Sequence, residues 1–191
     1  MKLPNGSTVN VPKINGGIYL LSGSDTQGSP TPLFIPASGG LISFTNTAGA
    51  DVGVISGAQI TMPPALNWTN MSSIDTIIRS QGVTVNWSAS TAYPGFVTIA
   101  GGSSSFNGSN TSNVVSTGFA CTAPYSAGTF TVPSYVLQAM VTGSASVGGV
   151  SFPTGSLSLI LNATPVKITA PSIDYATLNA GSITGKLVTY Q

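Results

Sequence analysis

The chain has 191 residues and a formal net charge of +1, and only 5% of its residues are charged, where a globular domain typically has about 25%. It contains no histidine, one cysteine and four acidic residues, all aspartate, which excludes His/Cys zinc sites and Ser-His-Asp or Cys-His catalysis. So weak a net charge gives no field to attract nucleic acid or an anionic membrane. We therefore expect a non-enzymatic protein that uses no metal and no cofactor.

The first 62 residues alternate short apolar segments with turns rich in Gly, Pro and Asn. Apolar residues at even positions from Val52 to Met62 predict one longer strand, bent at Gly53 or Gly57. Short strands are predicted at residues 7–11, 18–21, 33–35 and 41–44, with a loop over residues 25–32. Pro63-Pro64 marks the predicted boundary between an N-terminal β-rich segment or small β-domain, residues 1–62, and a second domain, residues 63–191.

A turn at Gly82 leads into a predicted core strand of the second domain. Val83, Val85 and Trp87 alternate with polar residues, which predicts a strand that buries these three side chains. The preceding residues 71–80 fit a short helix and a short strand equally well, because an isolated apolar triplet has no decisive period.

Further strands follow at the short spacing typical of a β-sandwich. They are predicted at residues 96–100, 114–121, 129–133, 136–147, 157–161, 166–168 and 183–190. A Gly/Ser/Asn loop is predicted over residues 101–113, and the lone Cys121 is interpreted as a small buried apolar residue. The predicted fold is all-β, an immunoglobulin-like β-sandwich with an additional N-terminal β subdomain or half-sandwich.

Six short motifs occur in order along the chain. They are Gly49-Ala-Asp-Val-Gly53, Leu66-Asn-Trp-Thr-Asn70, Arg79-Ser-Gln-Gly-Val-Thr-Val-Asn-Trp87, Phe119-Ala-Cys-Thr-Ala123, Gly128-Thr-Phe-Thr-Val-Pro-Ser134 and Ile173-Asp-Tyr175. Together they resemble exported β-rich proteins of soil acidobacteria, over about residues 48–191. The resemblance implies export from the cytoplasm and brings no activity, cofactor or catalytic residue with it.

The predicted strands lack the charged residues that normally discourage pairing between sheet edges. We therefore predict an extracellular structural protein, secreted or on the cell surface, whose copies form a fibre, sheath or layer by strand addition. The predicted assembly strands carry Ser7, Val9 and Val11 near the N-terminus and Ile183, Leu187 and Tyr190 near the C-terminus. No apolar run approaches the roughly 18 residues of a transmembrane helix.

The alternative function is that of an adhesin or carbohydrate-binding module with a polysaccharide partner. In that case Tyr93 and Tyr125 would face the ligand, beside loops at residues 101–113 and 123–128. Arg79, the only arginine, is predicted to pair with Asp75 four residues earlier and to have a structural role.

Overall fold

The computed structural model describes residues 1–13, 36–48, 52–89, 93–106, 114–147 and 150–191. This part of the chain contains thirteen strands, one four-residue α-helix and two single turns of 3-10 helix, so the all-β class is confirmed. The strands are β1 (Gly40–Phe44), β2 (Ala58–Met62), β3 (Thr76–Ile77), β4 (Val83–Asn86), β5 (Phe96–Phe106), β6 (Val114–Pro124), β7 (Thr129–Val132), β8 (Ser144–Val147), β9 (Val150–Pro153), β10 (Gly155–Asn162), β11 (Val166–Ala170), β12 (Ile173–Leu178) and β13 (Gly181–Tyr190). The immunoglobulin-like arrangement within this class stays a prediction.

The chain divides into two compact units that differ from the predicted domains. One unit comprises Met1–Ala65 and Ala163–Gly181, and the other comprises Leu66–Asn162 and Ser182–Gln191. The hairpin β11–β12, which was predicted to belong to residues 63–191, therefore lies with the N-terminal residues. Its ends are joined by a hydrogen bond from the Ala163 N–H to the Ala180 carbonyl, 2.9 Å long. Each unit is thus built from two separate stretches of the chain, which a single boundary in chain order cannot describe.

The first unit contains the antiparallel hairpin β1–β2, with Ile42 and Ile60 buried on one face. The predicted strand over residues 52–62 is confined to β2, because Gly57 turns the chain with a φ of 69° and Val54 is exposed. The Asn46 side chain instead holds this segment, as its amide donates to the Gly53 carbonyl. Predictions at residues 18–21, 25–32 and 33–35 lie outside the described residues.

The second unit is sandwich-like: two sheets contribute to one apolar core. The larger sheet has five strands in the order β3-β13-β10-β5-β6, and β4 pairs with β7 in the smaller one. Val85 and Val132 of the small sheet share the core with Ile99, Leu159 and other residues of the large one. Leu157, Leu159 and Leu161 are fully buried, as their alternation predicts.

The predicted strand at Val83, Val85 and Trp87 is confirmed as a core element of this unit. The Trp87 ring is buried, and its indole Nε1 donates a 2.7 Å hydrogen bond to the Tyr125 carbonyl. Residues 71–80 contain neither a full helix nor a full strand but a 3-10 turn, Met71–Ser73, followed by the two-residue β3.

Two further segments differ from the predicted strand pattern. Residues 136–147 were predicted as a strand, but the helix α1 (Ser134–Leu137) begins after Pro133 and buries Leu137, and only β8 is extended. Residues 101–106 were predicted as a loop, yet they continue β5 in unbroken register with β6. Glycine suits this strand because the Phe119 ring and the Tyr190 hydroxyl occupy the space that a side chain at Gly101 would need.

Candidate assembly surface

The predicted N-terminal assembly strand is paired within its own unit. The Val9 N–H donates to the Met1 carbonyl at 2.8 Å, and the Leu3 N–H donates to the Ser7 carbonyl at 2.9 Å. Residues 1–9 thus form a tight hairpin that adds to β1 through the bridge between Lys2 and Ser43. Ser7 is exposed and Val9 is half-buried within this hairpin, and Val11, two residues beyond it, is also half-buried.

The predicted C-terminal assembly strand lies between β3 and β10 in the five-stranded sheet. Ile183 and Leu187 project from its outer face and are 68% and 63% exposed. Tyr190 points the opposite way, into the core, and its hydroxyl donates to the Ser156 carbonyl at 2.9 Å. Tyr190 is 1% exposed and therefore belongs to the core, and this burial raises the pKa of its phenol.

The two tyrosines predicted to face a ligand pack against each other instead. Tyr125 is buried in the core, and Tyr93 is half-buried against it, with their rings edge to face at 6.2 Å. Tyr125 therefore presents no ring face to a sugar. Of the loops proposed beside them, residues 101–106 are strand and Tyr125–Ala127 is a 3-10 turn.

The few charged groups of the second unit serve local structure. Asp75 pairs with Lys186 and not with Arg79, and the Asp75 carboxylate is 80% exposed. The Arg79 guanidinium donates a 2.6 Å hydrogen bond to the Met140 carbonyl, just beyond α1. Asp25 and Asp51 lie outside the described residues.

Among the residues described, no group of three or more His, Cys, Asp or Glu side chains could hold a metal ion. No helix in this part of the chain is long and apolar enough to span a membrane.

The strand β6 forms one edge of the five-stranded sheet and is its most extensive open feature. It pairs with β5 through eleven consecutive residues, from Val114 to Pro124, without a bulge. On its other side, no strand within the described part of the chain pairs with it. This edge was not predicted as an assembly site.

Neighbouring hydrogen bonds show which backbone groups of β6 point outward. The Tyr125 N–H donates to Gly95, which precedes β5, whereas the Ser104 N–H donates to Thr154, on the β10 side. Since backbone groups along a strand alternate in direction, the odd-numbered residues of β6 bond to β5. The N–H and C=O groups that point away from the sheet belong to Val114, Ser116, Gly118, Ala120 and Thr122. None of these groups has a backbone partner elsewhere among the described residues.

The usual protections of a sheet edge are missing from β6. Natural edges are guarded by Lys or other charges, by proline, by a bulge or by being very short. β6 has eleven residues and no charged residue, and its single proline, Pro124, is the last residue of the strand. Its outer-face side chains are small, so they leave the backbone of the edge accessible.

The core beneath β6 is incompletely covered. On the inner face of the sheet, Ile99 and Leu157 in the neighbouring strands are fully buried. Phe119 and Cys121 on β6 are only half-buried against the same core, and Val115 is 58% exposed. Burial nevertheless raises the pKa of the Cys121 thiol, which makes it a weaker nucleophile near neutral pH. A further strand beside β6 would cover these three side chains.

The outer face of the sheet is also uncharged. On this face Thr98 of β5 is opposite Thr122 of β6, Ala100 is opposite Ala120, and Gly102 is opposite Gly118. On β13, which is separated from β5 by β10, Ile183 and Leu187 project from the outer face with Gly185 between them. Lys186 points to the other face and donates to the Met71 carbonyl.

Comparison of the chain with protein-family models, with curated proteins and with solved structures finds no match.

Proposed function

We propose that this chain is a non-enzymatic structural protein of the cell exterior, and that its copies assemble by adding a strand to the open edge of β6. The observation that carries the proposal is the combination of length, regular register and absence of charge along this edge. An edge of this kind favours pairing with another extended chain, since each outward N–H and C=O gains a partner.

The composition of the whole chain supports self-association. With 5% charged residues and a net charge of +1, copies approach one another without appreciable electrostatic repulsion. Secretion or display on the cell surface is part of the same proposal and is supported by the resemblance to exported β-rich proteins.

Growth into a fibre, sheath or layer needs more than one contact per copy, because a two-fold contact alone closes into a dimer. The outer face of β13 is the surface that we assign to this second contact. Ile183 and Leu187 are the large apolar side chains that project there, and no charge accompanies them on that face. In this way Ile183 and Leu187 keep the role in assembly that was predicted for them, whereas Tyr190 does not.

The carbohydrate-binding alternative has less support. It needed Tyr93 and Tyr125 as a stacking platform, and Tyr125 is 5% exposed. A polysaccharide partner would therefore require a different surface.

We expect Ala120→Pro to prevent growth into a fibre, sheath or layer while leaving the fold intact. The Ala120 N–H points away from β5, so a proline there removes no hydrogen bond of the sheet and only blocks the open edge. The matched control is Ala120→Val, which keeps the N–H and adds a residue that favours strands. The measurement is the mass by size-exclusion chromatography with light scattering, with near-UV circular dichroism to verify the fold.

The proposal requires that wild-type protein and Ala120→Val grow in mass with concentration, and that Ala120→Pro grows no further than the dimer that the β13 contact alone can form. Equal assembly by the proline variant, with native circular dichroism, would show that the β6 edge is not the contact. A wild-type protein that stays monomeric at every concentration would contradict self-assembly itself.

A further inference from the structure

We propose that the strand added to β6 is β6 of a second copy, in antiparallel orientation, with Phe119 on the two-fold axis. This inference rests on the proposed function and specifies its partner and its register. Because the same edge then serves both copies, one open strand is sufficient and no separate donor segment is needed.

Backbone geometry restricts the register. The outward groups belong to the even-numbered residues, so hydrogen bonds form only where an even residue faces an even residue of the second copy. Two registers pair the outward groups almost completely. With Phe119 on the axis, Gly118 faces Ala120 of the second copy; with Gly118 on the axis, Ser116 faces Ala120.

Side chains on the inner face decide between these two registers. With Phe119 on the axis, the two half-buried Phe119 rings face each other. The exposed Val115 is then directly opposite Ala123 of the second copy. With Gly118 on the axis, Phe119 faces the polar Thr117 and the last two residues of β6 are unpaired. Aromatic pairs in closely spaced, non-hydrogen-bonded positions stabilise antiparallel sheets, so the first register is favoured.

The favoured register overlaps all eleven residues of β6 and brings no charges together. It also accounts for the incomplete burial of Val115, Phe119 and Cys121, because side chains of the second copy would lie beside them on the same face of the continued sheet. The result is a continuous ten-stranded sheet formed from two five-stranded sheets.

The native Cys121 allows a direct test of the register by disulfide formation. With Phe119 on the axis, residue 117 faces residue 121 of the second copy, so Thr117→Cys should form a covalent dimer with native Cys121 under mild oxidation. Directly opposed residues have Cα atoms about 4.5–5.5 Å apart, which suits a disulfide. Val115→Cys is the matched variant for the other register, in which residue 115 faces residue 121.

The expected result is a shift of most of the Thr117→Cys protein to dimer mass on a non-reducing gel, with no such shift for Val115→Cys. The shift should be lost in Thr117→Cys/Cys121→Ala, because residues 117 in the two copies lie four positions apart, beyond disulfide reach. Wild-type protein should not cross-link through Cys121, for the same reason. Phe119→Cys/Cys121→Ala provides a second, independent cross-link on the axis.

Light scattering on the same samples separates this inference from the proposed function. Cross-linking of Val115→Cys, or of wild-type Cys121, would overturn the register. Assembly without any cross-link would overturn β6–β6 pairing while self-assembly stands. Monomers in all samples would overturn both.

Discussion

Replacing Trp87 with alanine is expected to lower the free energy of unfolding of the second unit by about 3–5 kcal/mol, the range for buried Trp or Phe truncation. Trp87 is 3% exposed and lies in the core shared by the two sheets. The change leaves a large cavity, and it also leaves the Tyr125 carbonyl without the indole N–H that now donates to it at 2.7 Å.

This effect is measured by urea denaturation followed by circular dichroism. Trp87→Phe keeps an aromatic ring but loses the N–H, and its expected loss is about 1–3 kcal/mol, near that of one unsatisfied buried acceptor. Tyr135→Ala removes an aromatic side chain that is 75% exposed and should change stability by less than about 0.5 kcal/mol. Equal effects for Trp87→Ala and Tyr135→Ala would contradict the assignment of Trp87 to the core.

The second large effect is expected for Leu159→Ala, with a loss of about 2–5 kcal/mol. Leu159 is fully buried in β10, where its removal opens a cavity between the two sheets. Leu187→Ala is the same chemical change on the outer face of the same sheet, at an exposed site, and should cost less than about 0.5 kcal/mol in a monomer.

The two leucine variants also separate stability from assembly. Leu187→Ala should keep its denaturation midpoint at low protein concentration but weaken growth beyond the dimer, which light scattering detects. A Leu187→Ala variant as unstable as Leu159→Ala would show that the faces of the five-stranded sheet have been assigned wrongly.

Strands with strict alternation could be predicted from sequence. Val85, Trp87 and the leucines from Leu157 to Leu161 are buried, and Val83 is partly buried against the same core, as their period of two requires, because one face of each strand meets the core. The same alternation applies to β13, where the odd-numbered Ile183 and Leu187 lie on one face and the even-numbered Tyr190 lies on the other. Alternation alone would therefore have predicted Tyr190 on the face opposite Ile183 and Leu187.

The N-terminal hairpin carried a local signal that was missed. Leu3-Pro-Asn-Gly is a turn sequence: Pro4 suits the second position of the turn, and Gly6 adopts a φ of 85°. The Gly6 N–H donates to the Leu3 carbonyl at 2.9 Å, which closes the turn and folds residues 7–9 back onto residues 1–3. The turn residues visible in the sequence therefore predict a local hairpin at Ser7, as observed.

The β6 edge could not be found from local patterns. Whether a strand lies inside a sheet or at its edge depends on pairing with strands far away in sequence. Here β5 is an inner strand because it pairs with β10, which comes much later in the chain, whereas β6 pairs with β5 alone among the described strands. The glycines and serines of residues 101–106 imitate a loop, because the outer face of the sheet requires no large side chains and Phe119 fills the space at Gly101. The sequence shows directly that β6 carries no charge, but it does not show that β6 is a long edge strand.

Amide hydrogen exchange of the wild-type protein at low and high concentration tests pairing at β6 most directly. The outward amides of Ser116, Gly118, Ala120 and Thr122 should exchange rapidly in dilute solution and become protected as concentration rises. The amides of Thr117, Phe119 and Cys121, already bonded to β5, should be protected at both concentrations and serve as internal controls. Assembly with no added protection of the even-numbered amides would contradict strand addition at β6.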